Sequence, residues 1–209
     1  LKAKRQFENI RRVVCDDFPR RTIDLHHCTL EPSFYSERYG FQGRLDLLHR
    51  SPGSREAKIV ELKSGRLPYP PGDDGRIAPN HEVQTAIYRI GLDSHEVDAA
   101  ILYSAGERPG SNLRFAAVWQ DLERQIIDMR NRIVAHEQAL IRGDNQIVEE
   151  LFNALFATAD KTKKVPSFYR TRVEVMHNLL SRCSELEKAY FYRYVRFVTR
   201  ELYLQKIGD

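Results

Sequence analysis

The chain has 209 residues, of which 42% are hydrophobic and 30% charged, as expected for one globular domain or a core with a helical appendage. Its three cysteines are scattered without CxxC spacing, which argues against a disulfide scaffold, a zinc ribbon or an iron–sulfur cluster. No apolar stretch approaches the ~20 residues needed to span a membrane. We therefore expect an intracellular, cytoplasmic protein with no membrane segment.

The net charge of +4 is unevenly distributed along the chain. Residues 1–159 carry 22 Lys and Arg against 23 Asp and Glu, whereas residues 160–209 carry 11 against 6. Such a basic segment is typical of a protein that binds a polyanion, but a solvated Arg-rich helix has the same composition. The chain begins at Leu1 and not at methionine, which favours a piece of a longer protein.

The first half of the chain predicts one helix and three extended segments. Residues 2–14 have the spacing of a basic amphipathic helix, and residues 21–31 look extended. Residues 41–49 and 58–63 are predicted strands, and the Ser-Pro-Gly-Ser turn at 51–54 joins them into a hairpin.

The second half predicts a helix, two more strands and then helices only. A long Pro- and Gly-rich loop at 64–80 is typical of functional or mobile segments. Asn80 is a suitable N-cap for the helix that follows, and Gly91 suits the C′ position, just after the last helical residue. The later elements are strands at 97–104 and 112–119, a helix from 120 broken at 143–145, and helices at about 146–157 and 170–206. The order predicts an α/β fold with a mixed central sheet flanked by helices, followed by a helical C-terminal portion.

Two carboxylates and a lysine on the predicted hairpin are the strongest chemical signal. Asp46 and Glu61 lie on its two arms, and Lys63 points to the same face as Glu61 because side chains alternate along a strand. Such groups are rarely buried unless paired, and hard oxygen donors favour Mg²⁺ or Mn²⁺. A divalent ion there would polarise a phosphodiester and lower the pKa of a bound water. The alternative interpretation, an exposed strand face with a Glu–Lys pair, remains open at this point.

The surrounding residues favour a functional site. Gly40 and Gly43 precede Asp46 and permit close backbone approach, and the apolar pair before Glu61 is typical of a buried strand. On the following helix Gln84 and Tyr88 share a face, with His81 about one turn earlier, and their side chains suit hydrogen bonds to a phosphate or a bound water.

Together the motifs GxxGRxD, IVELKSG and HxxQxxxY, in this order over residues 20–120, resemble the RecB-like exonuclease branch of the PD-(D/E)XK nuclease superfamily. The resemblance implies a restriction-endonuclease-like core over residues 1–120, with the helical portion at 121–209 packed on it. Asp46, Glu61 and the backbone carbonyl of Leu62 would bind the metal, and Lys63 would be the catalytic lysine. Gln84 and Tyr88 would support the site and contact DNA, while the role of His81 is less defined.

The resemblance further implies a bacterial deoxyribonuclease of DNA repair, recombination or replication, acting on single-stranded or free-ended DNA beside a helicase domain or subunit. Leu45 replaces the proline of the superfamily name. Many relatives carry a metal-binding histidine on the first helix, but residues 2–14 contain none, and His26 and His27 fall in the next segment. The clustered downstream cysteines of iron–sulfur relatives are absent, so we predict no cluster.

Two alternatives to a nuclease remain open. A catalytically inactive nuclease-fold domain would bind DNA or help to assemble a helicase complex. A purely helical interaction module would require residues 40–63 not to form a hairpin.

The remaining candidate residues predict structure more than chemistry. His136, His177 and Cys183 are isolated and favour packing or surface roles. The aromatic stretch at 190–197, interleaved with arginines, suits either base stacking or packing on a neighbouring helix, and we favour packing.

Overall fold

The computed structural model describes residues 2–65, 75–92, 96–106, 110–159 and 166–207. Most of the predicted loop at 64–80 therefore lies outside the described residues. The chain divides into two compact units, Leu1–Asp128 and Met129–Asp209, and each is described by itself.

The first unit is an α/β structure. Its helices are α1 (Lys2–Arg12), α2 (Phe18–Arg20) and α3 (Pro79–Gly91), with a π-helical stretch at Val13–Asp17 and a 3₁₀ turn at Leu25–His27. Its strands are β1 (Cys28–Leu30), β2 (Ser33–Ser36), β3 (Phe41–Arg44), β4 (Leu47–His49), β5 (Glu56–Lys63), β6 (Glu96–Tyr103) and β7 (Leu113–Phe115).

Five strands form a mixed sheet in the order β1-β4-β5-β6-β7, and β2 and β3 form a separate two-stranded sheet. β4 pairs antiparallel with β5, as Leu47↔Val60 and Leu48↔Ile59, which confirms the hairpin. The purely helical alternative is therefore wrong. β6 runs parallel to β5, and α3 lies between them in the chain, as expected for a parallel crossover connection.

The strand predicted at 41–49 is in fact two strands that belong to different sheets. The chain leaves β3 at Leu45, whose N–H donates to the carbonyl of Pro32, and the Asp46 carbonyl then accepts from Glu31. Leu45 is buried at this bend, which fixes the direction of the chain. Asp46 therefore precedes β4 and does not lie within a strand.

Other boundaries differ from the prediction for local reasons. Within the predicted extended segment 21–31, Leu25–His27 form a 3₁₀ turn and only Cys28–Leu30 lie in a strand. The helix predicted from Asn80 begins one residue earlier, with Ala78 as N-cap, because Pro79 suits the first helical position. Gly91 is its last residue and not the residue after it.

The core lies on both faces of β5. Ile59 packs with Leu45 and Tyr88 on the face towards α3, and Val60 packs with Val13 and Phe18 on the other. Since side chains alternate along a strand, Glu61 and Lys63 extend from the same face as Ile59, towards α3.

The second unit is helical, as the sequence predicts. α4 (Gln120–Arg142) begins in the first unit, and α5 (Asn145–Phe156), a 3₁₀ turn (Ala157–Ala159), α6 (Ser167–Leu180) and α7 (Glu185–Ile207) follow. Asp144 caps α5 by accepting from the N–H groups of Gln146 and Ile147, which explains the predicted break. No helix in the described ranges is long and apolar enough to cross a membrane.

Candidate active site

The carboxyl end of β5 places a buried carboxylate next to an ammonium group. Lys63 Nζ donates to Glu61 Oε1 at 2.8 Å, and the Lys63 and Glu61 side chains are 24% and 8% exposed. A nearly buried carboxylate is costly unless it is paired, and Lys63 provides that pairing. The surface Glu–Lys pair considered from sequence therefore does not describe this arrangement.

The helix α3 holds the same carboxylate from the other side. Gln84 Nε2 donates to Glu61 Oε1 at 2.8 Å and to the Tyr88 hydroxyl oxygen at 2.6 Å. The Tyr88 hydroxyl lies 3.4 Å from both Glu61 Oε2 and the carbonyl oxygen of Arg44. Burial raises the pKa of Tyr88, which keeps its hydroxyl proton available for donation.

Asp46 joins this group through the main chain of β5. Its Oδ2 accepts from the N–H of Leu62 at 2.7 Å, so the carboxylate contacts the residue between Glu61 and Lys63. The N–H and C=O of one strand residue point to the same side, so the Leu62 carbonyl also points towards Asp46. The carbonyl of Lys63 points the other way and accepts from Ser104 of the segment after β6.

Two glycines of the GxxGRxD motif have different structural roles. Gly40 has φ of +65° in the turn between β2 and β3, a conformation that glycine adopts without strain. Gly43 faces Phe34 across the pair of strands, and a Cβ there would lie 2.8 Å from the ring. The Phe34 ring in turn meets the Tyr88 ring edge-on, with centroids 5.8 Å apart. Gly43 thus makes room for a ring that packs against Tyr88.

His81 lies beside the group without bonding to its carboxylates. Its Nδ1 shares a hydrogen bond with the Tyr103 hydroxyl at 2.8 Å, and the two ring centroids are 5.6 Å apart. Burial lowers the pKa of His81, and the charge of Lys63 lowers it further against the opposing effect of Glu61. His81 is therefore mainly neutral near pH 7.

Two polar residues of α1, which the sequence analysis did not single out, contact the same edge of the sheet. Gln6 Nε2 donates to the carbonyl of Ser64 at 3.0 Å, directly after Lys63. Asn9 is buried and donates to the carbonyls of Ser104 and Gly106 at 2.8 and 2.7 Å. Their i, i+3 spacing within an otherwise apolar face was the available signal.

The donor atoms of the group suit a hard divalent cation. Within the described ranges, no three His, Cys, Asp or Glu side chains lie close enough together to hold a metal ion. Asp46, Glu61 and the Leu62 carbonyl nevertheless offer oxygen donors, and Mg²⁺ is commonly bound through one or two carboxylates with water and substrate oxygens as its other ligands. The Nδ1 atom of His27, by contrast, lies 3.3 Å from Asp24 Oδ2, a carboxylate outside this group of donors.

No protein-family model matches the chain, and no curated protein is significantly similar to it. The assignment of an activity therefore depends on the side chains described above.

Proposed function

We propose that this chain is a metal-dependent deoxyribonuclease with a restriction-endonuclease-like core. The observation that supports it is the meeting of Asp46, Glu61 and Lys63 with Gln84 and Tyr88 at one edge of the sheet. These residues come from three separate segments of the chain. Glu61 and Tyr88 are buried within this group, and clusters of titratable side chains with a buried member are typical of functional sites.

The metal would be Mg²⁺ or Mn²⁺, held by Asp46, Glu61 and the carbonyl of Leu62. Such an ion polarises a phosphodiester and lowers the pKa of water bound to it. The net reaction forms a bond from a water oxygen to phosphorus and breaks the bond from phosphorus to a sugar oxygen. The products are a phosphate monoester and a hydroxyl end.

The other roles in the reaction belong to three protein side chains. Lys63 places a positive charge beside the position where negative charge develops on the phosphate, and it orients the attacking water by hydrogen bonding. Gln84 fixes the orientation of the Glu61 carboxylate, because it donates to Oε1 at the same time as Lys63. Tyr88 supports Gln84 and Glu61 from α3.

The resemblance of the motifs to RecB-like nucleases supports the choice of substrate. We propose single-stranded or free-ended DNA, within a larger intracellular repair, recombination or replication protein that includes or binds a helicase. An iron–sulfur cluster is not part of this proposal.

The test is cleavage of end-labelled single- and double-stranded DNA with Mn²⁺ or with EDTA. The wild-type chain should cleave with Mn²⁺ only, and Asp46→Asn, Glu61→Gln and Lys63→Ala should each reduce the rate at least about 100-fold. Circular dichroism should show an unchanged fold. Metal-dependent cleavage retained in all three purified variants would refute the assignment.

The second candidate is an inactive nuclease-fold domain that binds DNA or assembles a helicase complex. One observation favours it: Glu61 Oε1 accepts from both Lys63 and Gln84, so the protein itself provides partners for this carboxylate. Calorimetry separates the candidates, since the inactive domain would show no Mn²⁺ affinity that depends on Asp46 and Glu61.

A further inference from the structure

One face of α7 exposes three aromatic rings. Tyr190, Tyr194 and Phe197 are 72%, 55% and 59% exposed. Their spacing of four and then three residues places them on the same side of the helix. Large exposed rings in a row are unusual in a protein surface and indicate a binding site.

The packing of α7 within its unit does not need these rings. Phe191 and Tyr192 pack instead, with ring centroids 5.3 and 6.3 Å from that of Phe152 on α5. Packing, which the sequence predicts for the whole aromatic stretch, is therefore wrong for three of its five rings.

Two arginines extend from the same face as the exposed rings. Arg193 and Arg200 are exposed. They are seven residues apart and so lie close to one line along the helix, and Arg193 follows Tyr190 by three residues. Arg196 points elsewhere, with its guanidinium 3.5 Å from Asn145. The acidic residues near the rings are Glu201, four residues after Phe197, and Glu187, whose carboxylate accepts from Ser184 at the start of the helix. The positive charge that favours a polyanion comes from the surrounding segment, since residues 160–209 carry 11 Lys and Arg against 6 Asp and Glu.

We propose that this face of α7, defined by Tyr190, Arg193, Tyr194, Phe197 and Arg200, binds single-stranded nucleic acid. The rings stack on bases and the guanidinium groups pair with phosphates, a combination typical of single-strand binding surfaces. Along the helix axis the rings are about 6 and about 4.5 Å apart, which exceeds the ~3.4 Å between stacked duplex bases and suits an unstacked strand. In a duplex the base faces are stacked on neighbouring bases and are not accessible to the rings.

This inference goes beyond the proposed function, because binding at α7 requires neither the metal nor cleavage. It is tested by fluorescence anisotropy of a labelled 20-nucleotide oligo(dT) with the full chain in EDTA, so that no cleavage occurs. The salt dependence of the dissociation constant is measured for each variant.

The variants separate stacking from charge. Tyr190→Ala/Tyr194→Ala/Phe197→Ala should weaken binding at least about tenfold with little change in the salt slope, because base stacking contributes affinity without neutralising phosphates. Arg193→Gln/Arg200→Gln should reduce the slope of log K against log salt by about 1.4, which is about 0.7 for each of two phosphate contacts. Leu202→Ala is the control, an exposed apolar residue of the same helix away from this face, and should bind as wild type does.

Wild-type affinity in both multiple variants would overturn the inference. So would a lower unfolding midpoint with unchanged oligo(dT) affinity in the aromatic variant, since the rings would then pack on protein. Equal competition by a duplex of the same length would overturn the preference for single strands. Failure of the nuclease proposal is seen separately, as a wild-type chain that binds oligo(dT) but does not cleave it with Mn²⁺.

Discussion

Lys63→Ala removes the ammonium group that pairs with the buried carboxylate of Glu61. A hydrogen bond to a charged group is worth about 1.5–3 kcal/mol, and breaking a fully buried ion pair costs about 3–5 kcal/mol. Because Lys63 is 24% exposed and Gln84 still donates to Glu61, the lower range applies. We expect a loss of about 2 kcal/mol in the free energy of unfolding without metal.

Urea unfolding in EDTA measures this loss. The single tryptophan, Trp119, lies in the first unit, so its fluorescence reports the unit that contains the site. With a slope of about 2 kcal/mol per molar urea, the midpoint should fall by about 1 M.

The same variant should respond more strongly to Mn²⁺ than the wild type does. With the neighbouring positive charge removed, Glu61 attracts a dication more strongly, and each tenfold gain in affinity adds about 1.4 kcal/mol of stabilisation at saturating metal. Cleavage should nevertheless be lost, because the charge that Lys63 places beside the phosphate is gone.

Lys58→Ala is the matched control on the same strand. Lys58 donates to the carbonyl of Arg21 at 2.7 Å and has no carboxylate partner in the described ranges. This variant should keep cleavage and the wild-type response to Mn²⁺. If Lys63→Ala unfolds at the wild-type midpoint and gains no extra stabilisation from Mn²⁺, the pairing described here does not control the site.

Three further predictions concern the residues around the site and the core. Tyr88→Phe removes one hydrogen-bond donor to Glu61. It should lower the free energy of unfolding by about 1 kcal/mol, measured by urea unfolding. It should also reduce cleavage without abolishing it, measured by initial rates. His49 is buried and its Nε2 has no partner within the described residues, and burial lowers its pKa. The native state therefore binds fewer protons than the unfolded chain, so stability should fall as pH drops below about 6.5, and His49→Gln should flatten that dependence in unfolding experiments at pH 5.5 and 7.5. Gly91→Ala should lower the urea midpoint, because the new Cβ would overlap the Phe34 ring. The cost of overpacking, about 1–3 kcal/mol, exceeds the gain of up to about 1 kcal/mol from replacing a helical glycine. A midpoint at or above that of the wild type would contradict this prediction.

The candidate site was predictable because its residues follow local periodicities. Glu61 and Lys63 are two apart on a strand, and Gln84 and Tyr88 are four apart on a helix, so each pair shares a face whatever the rest of the fold does. That the two pairs meet follows from the crossover, since α3 connects two adjacent parallel strands.

The bend at Asp46 was not predictable in the same way. The hydrophobic pattern of residues 41–49 predicts one strand, because it carries no information that β3 and β4 pair with different partners. Main-chain hydrogen bonds to Pro32 and Glu31 determine the break, and these depend on segments that are distant in sequence. The contacts of Gln6 and Asn9 were missed for the same reason, because their acceptors are main-chain carbonyls and any residue type provides those.

The attachment of α1 also has a consequence for synthesis on the ribosome. Asn9 donates to a carbonyl that is 97 residues further along the chain. At about 5–20 residues per second, roughly 5–20 s pass between translation of this helix and translation of its acceptor. During that interval Val13 and Phe18, which pack against β5 and β6 in the finished fold, lack at least one of the strands that cover them. The nascent segment that contains α1 is therefore a candidate client for ribosome-associated chaperones until β6 has emerged.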